Sequence, residues 1–458
     1  MESKSQLRQR TSFVPLLIVV CGAPFLTALD LFVVNVAFSA IGADFGGAGL
    51  AAVSWTLSAY AIVFAALLIP MGSWADRVGN RRAFLVGVGI FTIASALAAA
   101  APWLWLLIAA RVLQAVGAAA LTPASLALLI TEVDPERRTL AVRIWAASSG
   151  MAAALGPVVG GVLVEISWRM AFLINVPVGV AIIFAAVVLL RQDEVAADDT
   201  RRTTDRGDLI GAALVALTAG LAVLYIVQGD EWGWGSAGSI VTVVAAVGAG
   251  VAFWWHDSHT PSPLIPTSLF AVPTFTLGTA TMLLFSLAFA AGLLNGILFL
   301  QNVWGYSVIR SGLAIAPGPA VVPVFAVLAG ALATRISPWT ATAVGCLLWA
   351  VGQAMLSFAG DSPAYLSQFL PGWMIGGIGV GLTLPSLMAV VTAHLPATQA
   401  GRGSAVVTMA RQLGTVIGAS VLVALLAAGH RTGAWWTAAA IGVVAGAIAF
   451  MAGRVRAS

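Results

Sequence analysis

Asp30 stands within the first long apolar run of this chain, and Arg111 lies inside the fourth. A charged side chain at membrane depth is costly enough to mark function by default. A carboxylate in that setting can hold and release a proton, because a neighbouring cation keeps it ionised while dry apolar surroundings favour the neutral acid. Asp30 sits about 16 residues into its run, roughly 24 Å from the edge where the run begins. Arg111 sits about 8 residues into a run of opposite direction, roughly 18 Å from the same edge of a hydrocarbon core about 30 Å thick. The two are close enough in depth to pair, and alternation between a paired and an unpaired Asp30 would couple proton transfer to cargo movement. A fixed bridge that only orders the helices, or two polar residues facing a watery cavity, remain the other readings.

These residues need a membrane around them. Of 458 residues, 60% are hydrophobic and 9% charged, with mean hydropathy +0.99, against about 25% charged residues in a soluble domain. Apolar runs long enough to cross lipid as helices recur throughout; barrel strands would be shorter and alternating. The runs lie near 14–40, 53–71, 83–101, 103–130, 141–164, 169–190, 209–228, 237–255, 274–300, 311–333, 339–359, 364–393, 404–428 and 433–452. The fold predicted is therefore an all-α integral membrane protein with 14 transmembrane helices.

An even number of crossings puts both termini on one side. Of the 22 Lys and Arg residues, Arg169, Arg310 and Arg431 fall on the far side and Arg111 and Arg411 within runs. The remainder lie on the terminal side, which the positive-inside bias reads as cytoplasmic. The expected location is the cytoplasmic membrane, multi-pass. The net charge of +4 belongs to these scattered loop residues, so nucleic acid is not an expected partner. Cys21 and Cys346 lie in apolar runs without disulfide or metal spacing. His256, His259, His394 and His430 are dispersed, with no HExxH and no Ser/His/Asp set, so neither an enzyme nor a metal site is expected. Lys4, Arg8 and Arg10 precede the first run like a secretory leader, but that run continues past residue 37 and reads as an uncleaved span.

Internal repetition divides the chain. Leu155 to Gly160 recurs as Leu413 to Gly418, Gly72 to Arg77 as Gly330 to Arg335, and Gly117 to Pro123 in spacing as Gly379 to Pro385, at offsets of 258 to 262 residues. Two pseudo-symmetric six-helix bundles are expected, 1–190 and 273–458, with a charged cytoplasmic linker at 191–208 and two inserted transmembrane helices at 209–272. Transporters built from such repeats place a substrate near the midplane between them.

The motifs, taken in order, resemble the fourteen-helix drug:proton antiporter branch of the major facilitator superfamily. They are Leu29-Asp30 with Val33-Val34-Asn35-Val36-Ala37, Trp55 with Tyr60, Gly72 to Arg82, Arg111-Val112-Leu113-Gln114 with Gly117, Gly156 to Gly161, Trp168-Arg169 with Phe172, Asn175 to Gly179, and Arg411-Gln412-Leu413-Gly414. The likeness covers essentially the whole chain and implies alternating-access efflux of a small, largely apolar drug or metabolite, with the proton as coupling ion and no cofactor. It implies proton coupling at Asp30 and Arg111. It further implies a conformational latch in the loop carrying Gly72, Asp76, Arg77, Gly79 and Arg81, and an antiporter motif at Gly156, Pro157, Gly160 and Gly161 that controls switching or leak; ordinary tight helix packing is the other reading of those glycines.

Asn35, Trp55, Tyr60, Gln114, Asn295, Gln301, Arg411 and Gln412 are the candidates for a substrate cavity. Asn80 replaces a basic residue of the latch, Phe38-Ser39 stands where Leu-Pro is usual, and Thr334 stands where a second Asp76 would, which makes the latch one-sided. The last six spans hold no Asp or Glu in their apolar cores, so neutral, zwitterionic or monocationic cargo is favoured over dications. A monomer in contact with membrane lipids is expected. An uptake symporter on the same scaffold, or a non-transporting sensor or structural protein, are the alternatives.

Overall fold

The computed structural model describes residues 13–190, 208–261, 263–265, 267–332, 335–393 and 400–455. The first bundle is α1 (Phe13–Asp44), α2 (Leu50–Val78), α3 (Asn80–Ala99), α4 (Leu104–Glu132), α5 (Pro135–Ile166), α6 (Met170–Leu173) and α7 (Asn175–Leu189). The inserted pair is α8 (Leu209–Trp232) and α9 (Ala237–His259). The second bundle is α10 (Pro273–Asn302), α11 (Val308–Ile315), α12 (Pro317–Leu332), α13 (Pro338–Leu356), α14 (Leu370–Ala393), α15 (Ala400–Ala427) and α16 (Arg431–Val455). Among the described residues fourteen helices, or pairs of helices in line, are long and apolar enough to cross a membrane, and the chain is a multi-pass membrane protein. Nearly all of the linker segment expected at 191–208, and Thr334, lie outside the described residues.

Local chemistry sets the breaks. α2 runs on to Val78 and α3 starts at Asn80, so Gly72 to Val78 is helix rather than the loop expected from the motif; the reversal is concentrated at Gly79, whose φ of +95° suits a residue without Cβ. The run expected as one helix at 169–190 is interrupted at Ile174. That interruption places Asn175 at the start of α7. Pro135, Pro273 and Pro338 open α5, α10 and α13, where a missing N–H costs nothing. Asp208 caps α8 by accepting the Gly211 N–H at 2.7 Å.

Lipid gives helices no hydrophobic reason to associate, so close approach through small residues carries much of the packing. In the first bundle α3 and α4 meet at Gly87 and Gly117, where a Cβ on Gly117 would stand 2.6 Å from the Phe91 nitrogen. In the second, α13 and α14 meet in the same way at Gly345 and Gly379, where a Cβ on Gly379 would stand 2.7 Å from the Trp349 nitrogen. These pairs repeat the offsets seen in the sequence. α8 lies in the groove between α2 and α15, with Ala212 and Val215 against Ala65, Ala66 and Met409.

The bundles meet along α2 and α15, along α5 with α11 and α12, and where α1 nears α10 and α11. On the side away from the chain termini they are sealed. Gly312 of α11 backs directly onto the Pro157 carbonyl, and a Cβ on Gly161 would stand 3.0 Å from Ile309 Cα. Gln301 Nε2 donates to the Val36 carbonyl at 3.3 Å. Phe32 and Val36 of α1 share one apolar cluster with Leu293, Ile297 and Leu300 of α10.

Candidate functional site

Five helices of the first bundle, α1, α2, α3, α4 and α7, meet at Asp30. Its Oδ2 accepts from Arg111 Nη1 at 2.5 Å. Its Oδ1 accepts from Gln114 Nε2 and from Asn175 Nδ2, each at 2.9 Å. Arg111 donates through Nε to the Thr56 carbonyl at 2.9 Å and also bonds Gln114 Oε1. Ser95 Oγ accepts from Gln114 Nε2 at 2.8 Å, and the Tyr60 ring lies 4.2 Å below the guanidinium. Asp30 is 1% exposed and Arg111, Gln114, Ser95 and Asn175 are 0% exposed, so no water reaches the pair in this arrangement.

Elements and residues explain each other here. α1 delivers the carboxylate, and α4 delivers Arg111 and Gln114 three residues apart on one face. The interruption at Ile174 turns Asn175 inward. Three donors aimed at its two oxygens supply the partners that a carboxylate needs when it is buried away from water. Arg111 Nη2 and Asn175 Oδ1 have no hydrogen-bond partner, so the cluster retains a donor and an acceptor for an altered proton arrangement.

The glycine-rich stretch of α5, Gly156 to Gly161, adjoins this cluster. Gly156 lies against Phe32, Gly160 against Val33, and the other face of the same turns, Pro157 and Gly161, meets Gly312 and Ile309 of the second bundle. One stretch of α5 therefore touches α1 one turn beyond Asp30 and forms part of the far-side seal. In the second bundle Gly414 and Gly418 pack on Ser286 and Leu287 in the same manner. That correspondence sets Leu284 where Asp30 stands, so the second bundle carries no matching carboxylate.

The other expected site residues distribute as follows. Tyr60 and Gln114, expected in a cargo cavity, belong to the buried cluster. Trp55, expected there too, packs against the cluster of Ala61, Ile62, Val223, Val227 and Val416, where α2 meets the inserted α8 and α15. Asn35 is buried and donates to the Leu31 carbonyl of its own helix at 2.8 Å. Asn295 is buried with Nδ2 unpartnered, and Gln301 takes part in the seal. Gln412 is buried, whereas Arg411 is exposed. Around Gly79, Arg81 Nη2 donates to the Val187 carbonyl at 3.1 Å, Arg77 Nε donates to Ser73 of its own helix at 3.4 Å, and Gly72 faces Pro123. Asp76 is also engaged. Sequence reasoning did not assign Ser95 or Asn175 to the site; the Asn-x-Pro at 175–177 just past a helix interruption was the available signal.

A sequence model described as the Major Facilitator Superfamily matches residues 20–419 and 324–457. The tetracenomycin C resistance and export protein of Streptomyces glaucescens is 31% identical over 415 residues, covering 90% of this chain and 76% of that protein. The multidrug resistance protein Stp of Mycobacterium tuberculosis is 33% identical over 408 residues, covering 88% and 74%. Among solved structures, a bacterial homologue of the human lysosomal transporter Spinster, in an inward-facing and unoccupied conformation, superposes with a TM-score of 0.69 at 18% identity, covering 98% of each chain.

Proposed function

The chain belongs to the Major Facilitator Superfamily, and from that premise we propose that it is a proton-driven exporter of small, largely apolar molecules across the cytoplasmic membrane, with both termini cytoplasmic. The observation that carries this reading is the water-excluded Asp30, held by Arg111, Gln114 and Asn175 and placed one turn from where α5 crosses α1 and joins the seal. Relatives named for antibiotic export and multidrug resistance support the direction of transport.

With the terminal side as the cytoplasm, the sealed far side makes this an inward-facing arrangement, and the paired Asp30 is the proton-released form. An antiporter needs that combination to accept cargo from the cell. Parting of α5 from α11 on the far side strips contacts from α1 beside Asp30 and lets water reach it. The carboxylate then takes a proton from outside, which weakens its hold on Arg111. On return, Arg111 retakes the carboxylate and displaces its proton, which leaves to the cytoplasm before the cluster closes away from water. Gln114, Asn175 and Ser95 hold the carboxylate in register, and Tyr60 shields the guanidinium. The proton is the coupling ion, no cofactor takes part, and the working unit is a monomer.

The test is substrate-induced proton release from the purified protein, in which cargo draws the protonated, outward-facing fraction into the proton-released arrangement, screened over a compound panel and compared with Asp30→Asn. The expected outcome is release by the wild type and none by the variant, with cargo binding retained in both. Uphill transport at full speed by Asp30→Asn would overturn the assignment.

A further inference from the structure

Arg411 lies midway along α15 between the buried Ala410 and Gln412, and yet its own side chain is exposed. An exposed charge at mid-span faces either lipid or the space between the bundles, and helix geometry says which. With about 100° between successive residues, Gly414 and Gly418 face α10 at the Leu283 and Leu287 carbonyls. Met409 and Val416 face α8 and α2, against Ala212 and Val215 and against Ala61, Ile62 and Val223. The remaining face of α15 carries Ser404, Thr408, Arg411 and Thr415, and it points away from α8, into the space between the bundles.

The same face changes character toward the sealed side. Ala419 and Leu422 join Leu29 and Val33 of α1 and Ala291 and Leu294 of α10 in one apolar cluster. They close that space with an apolar roof about 12 to 16 Å beyond Arg411 along the helix. Below that roof the polar groups are unequal. Thr408 and Thr415 donate their hydroxyl protons to the Ser404 and Arg411 carbonyls of their own helix, at 2.9 and 3.0 Å. The Arg411 guanidinium has no hydrogen-bonding or ionic partner among the described residues, which leaves it as the donor set facing that space. Asp30, the acidic group set deep in the spans, is turned away from it and taken up by Arg111.

We propose that Arg411 anchors the acidic group of the cargo, and that the transported molecules are amphipathic monoanions whose apolar body lies beneath Ala419 and Leu422. This rests on the export reading above and reverses the expectation of neutral or cationic cargo, which followed from counting acids along the second half of the chain. A lone guanidinium in low-dielectric surroundings attracts anions and repels cations, and its planar fork suits a carboxylate or sulfonate better than a neutral group.

The probes are 1-anilinonaphthalene-8-sulfonate and its uncharged counterpart N-phenyl-1-naphthylamine, with wild type, Arg411→Gln and Arg411→Lys in lipid nanodiscs, each variant first shown monodisperse. Loss of a hydrogen bond to a charged group should weaken sulfonate binding about tenfold or more in Arg411→Gln. Binding of the neutral probe should change by less than about twofold, and Arg411→Lys should retain most of the preference for the sulfonate. Equal effects on both probes, or no effect on the sulfonate, overturn the anchor. Proteoliposomes under an imposed proton gradient separate the two readings. Sulfonate binding that depends on Arg411 without gradient-driven flux of either probe keeps the anchor and counts against export. Gradient-driven flux of both probes at a ratio unaffected by Arg411→Gln keeps export and sinks the anchor.

Discussion

Gly312→Ala tests whether the far-side seal is the switching contact. A methyl group at 312 would overlap the carbonyl oxygen of Pro157 and stand 3.0 Å from its carbonyl carbon. Both atoms are backbone of α5, and α5 has no slack in which to retreat, because a Cβ on Gly160 would already stand 3.0 Å from Val33 Cα on its other face. Overpacking of this kind costs about 1–3 kcal/mol. The cost applies only while α5 and α11 touch, so the equilibrium should move toward the far-side-open arrangement by about 5- to 160-fold. Val36→Cys, introduced after replacing Cys21 and Cys346, supplies the reporter: Val36 is 1% exposed and sits in the α1–α10 seam. A membrane-impermeant maleimide applied from the far side should label it faster in Gly312→Ala by that factor, up to saturation, while Gly89→Ala, where nothing lies within 4 Å, should leave the rate unchanged. An unchanged or slower labelling rate in Gly312→Ala would show that this contact does not govern opening.

Asn175→Ala removes a donor that lies 2.9 Å from Asp30 Oδ1 and should lower stability by about 1–3 kcal/mol, read as a lower unfolding midpoint in nanodiscs; an unaltered midpoint would mean that water replaces the amide at no cost. Gly117→Ala brings a methyl 2.6 Å from the Phe91 nitrogen and should destabilise by about 1–3 kcal/mol, whereas Gly248→Ala, on an open face of α9, should not move the same midpoint.

The pairing of Asp30 with Arg111 was legible because depth in a membrane helix is a count of residues, and both counts led to the same level. The glycines of α5 were legible as a close approach but not as a contact shared by α1 and α11, since a helix shows its period in sequence and not the identity of the neighbour on each face. Ser95 and Asn175 went unassigned to the site for a related reason. A small polar residue in an apolar helix reads the same whether it bonds its own carbonyl, as Thr92 does at 2.7 Å, or completes a site as Asn175 does. Trp55 was misplaced because the position of an inserted helix pair relative to α2 leaves no trace in α2 itself.

What the amino-acid order determined is the fourteen crossings, the twofold repeat and the level of each rare charge, because lipid penalises every unsatisfied polar group and so writes the spans into composition. What only the tertiary structure decided is which charge is enclosed and which is not: Asp30 closed away among donors, Arg411 exposed. Direction around a helix axis acquires meaning only when other helices occupy the surrounding positions, and that is settled by packing between segments far apart in the chain.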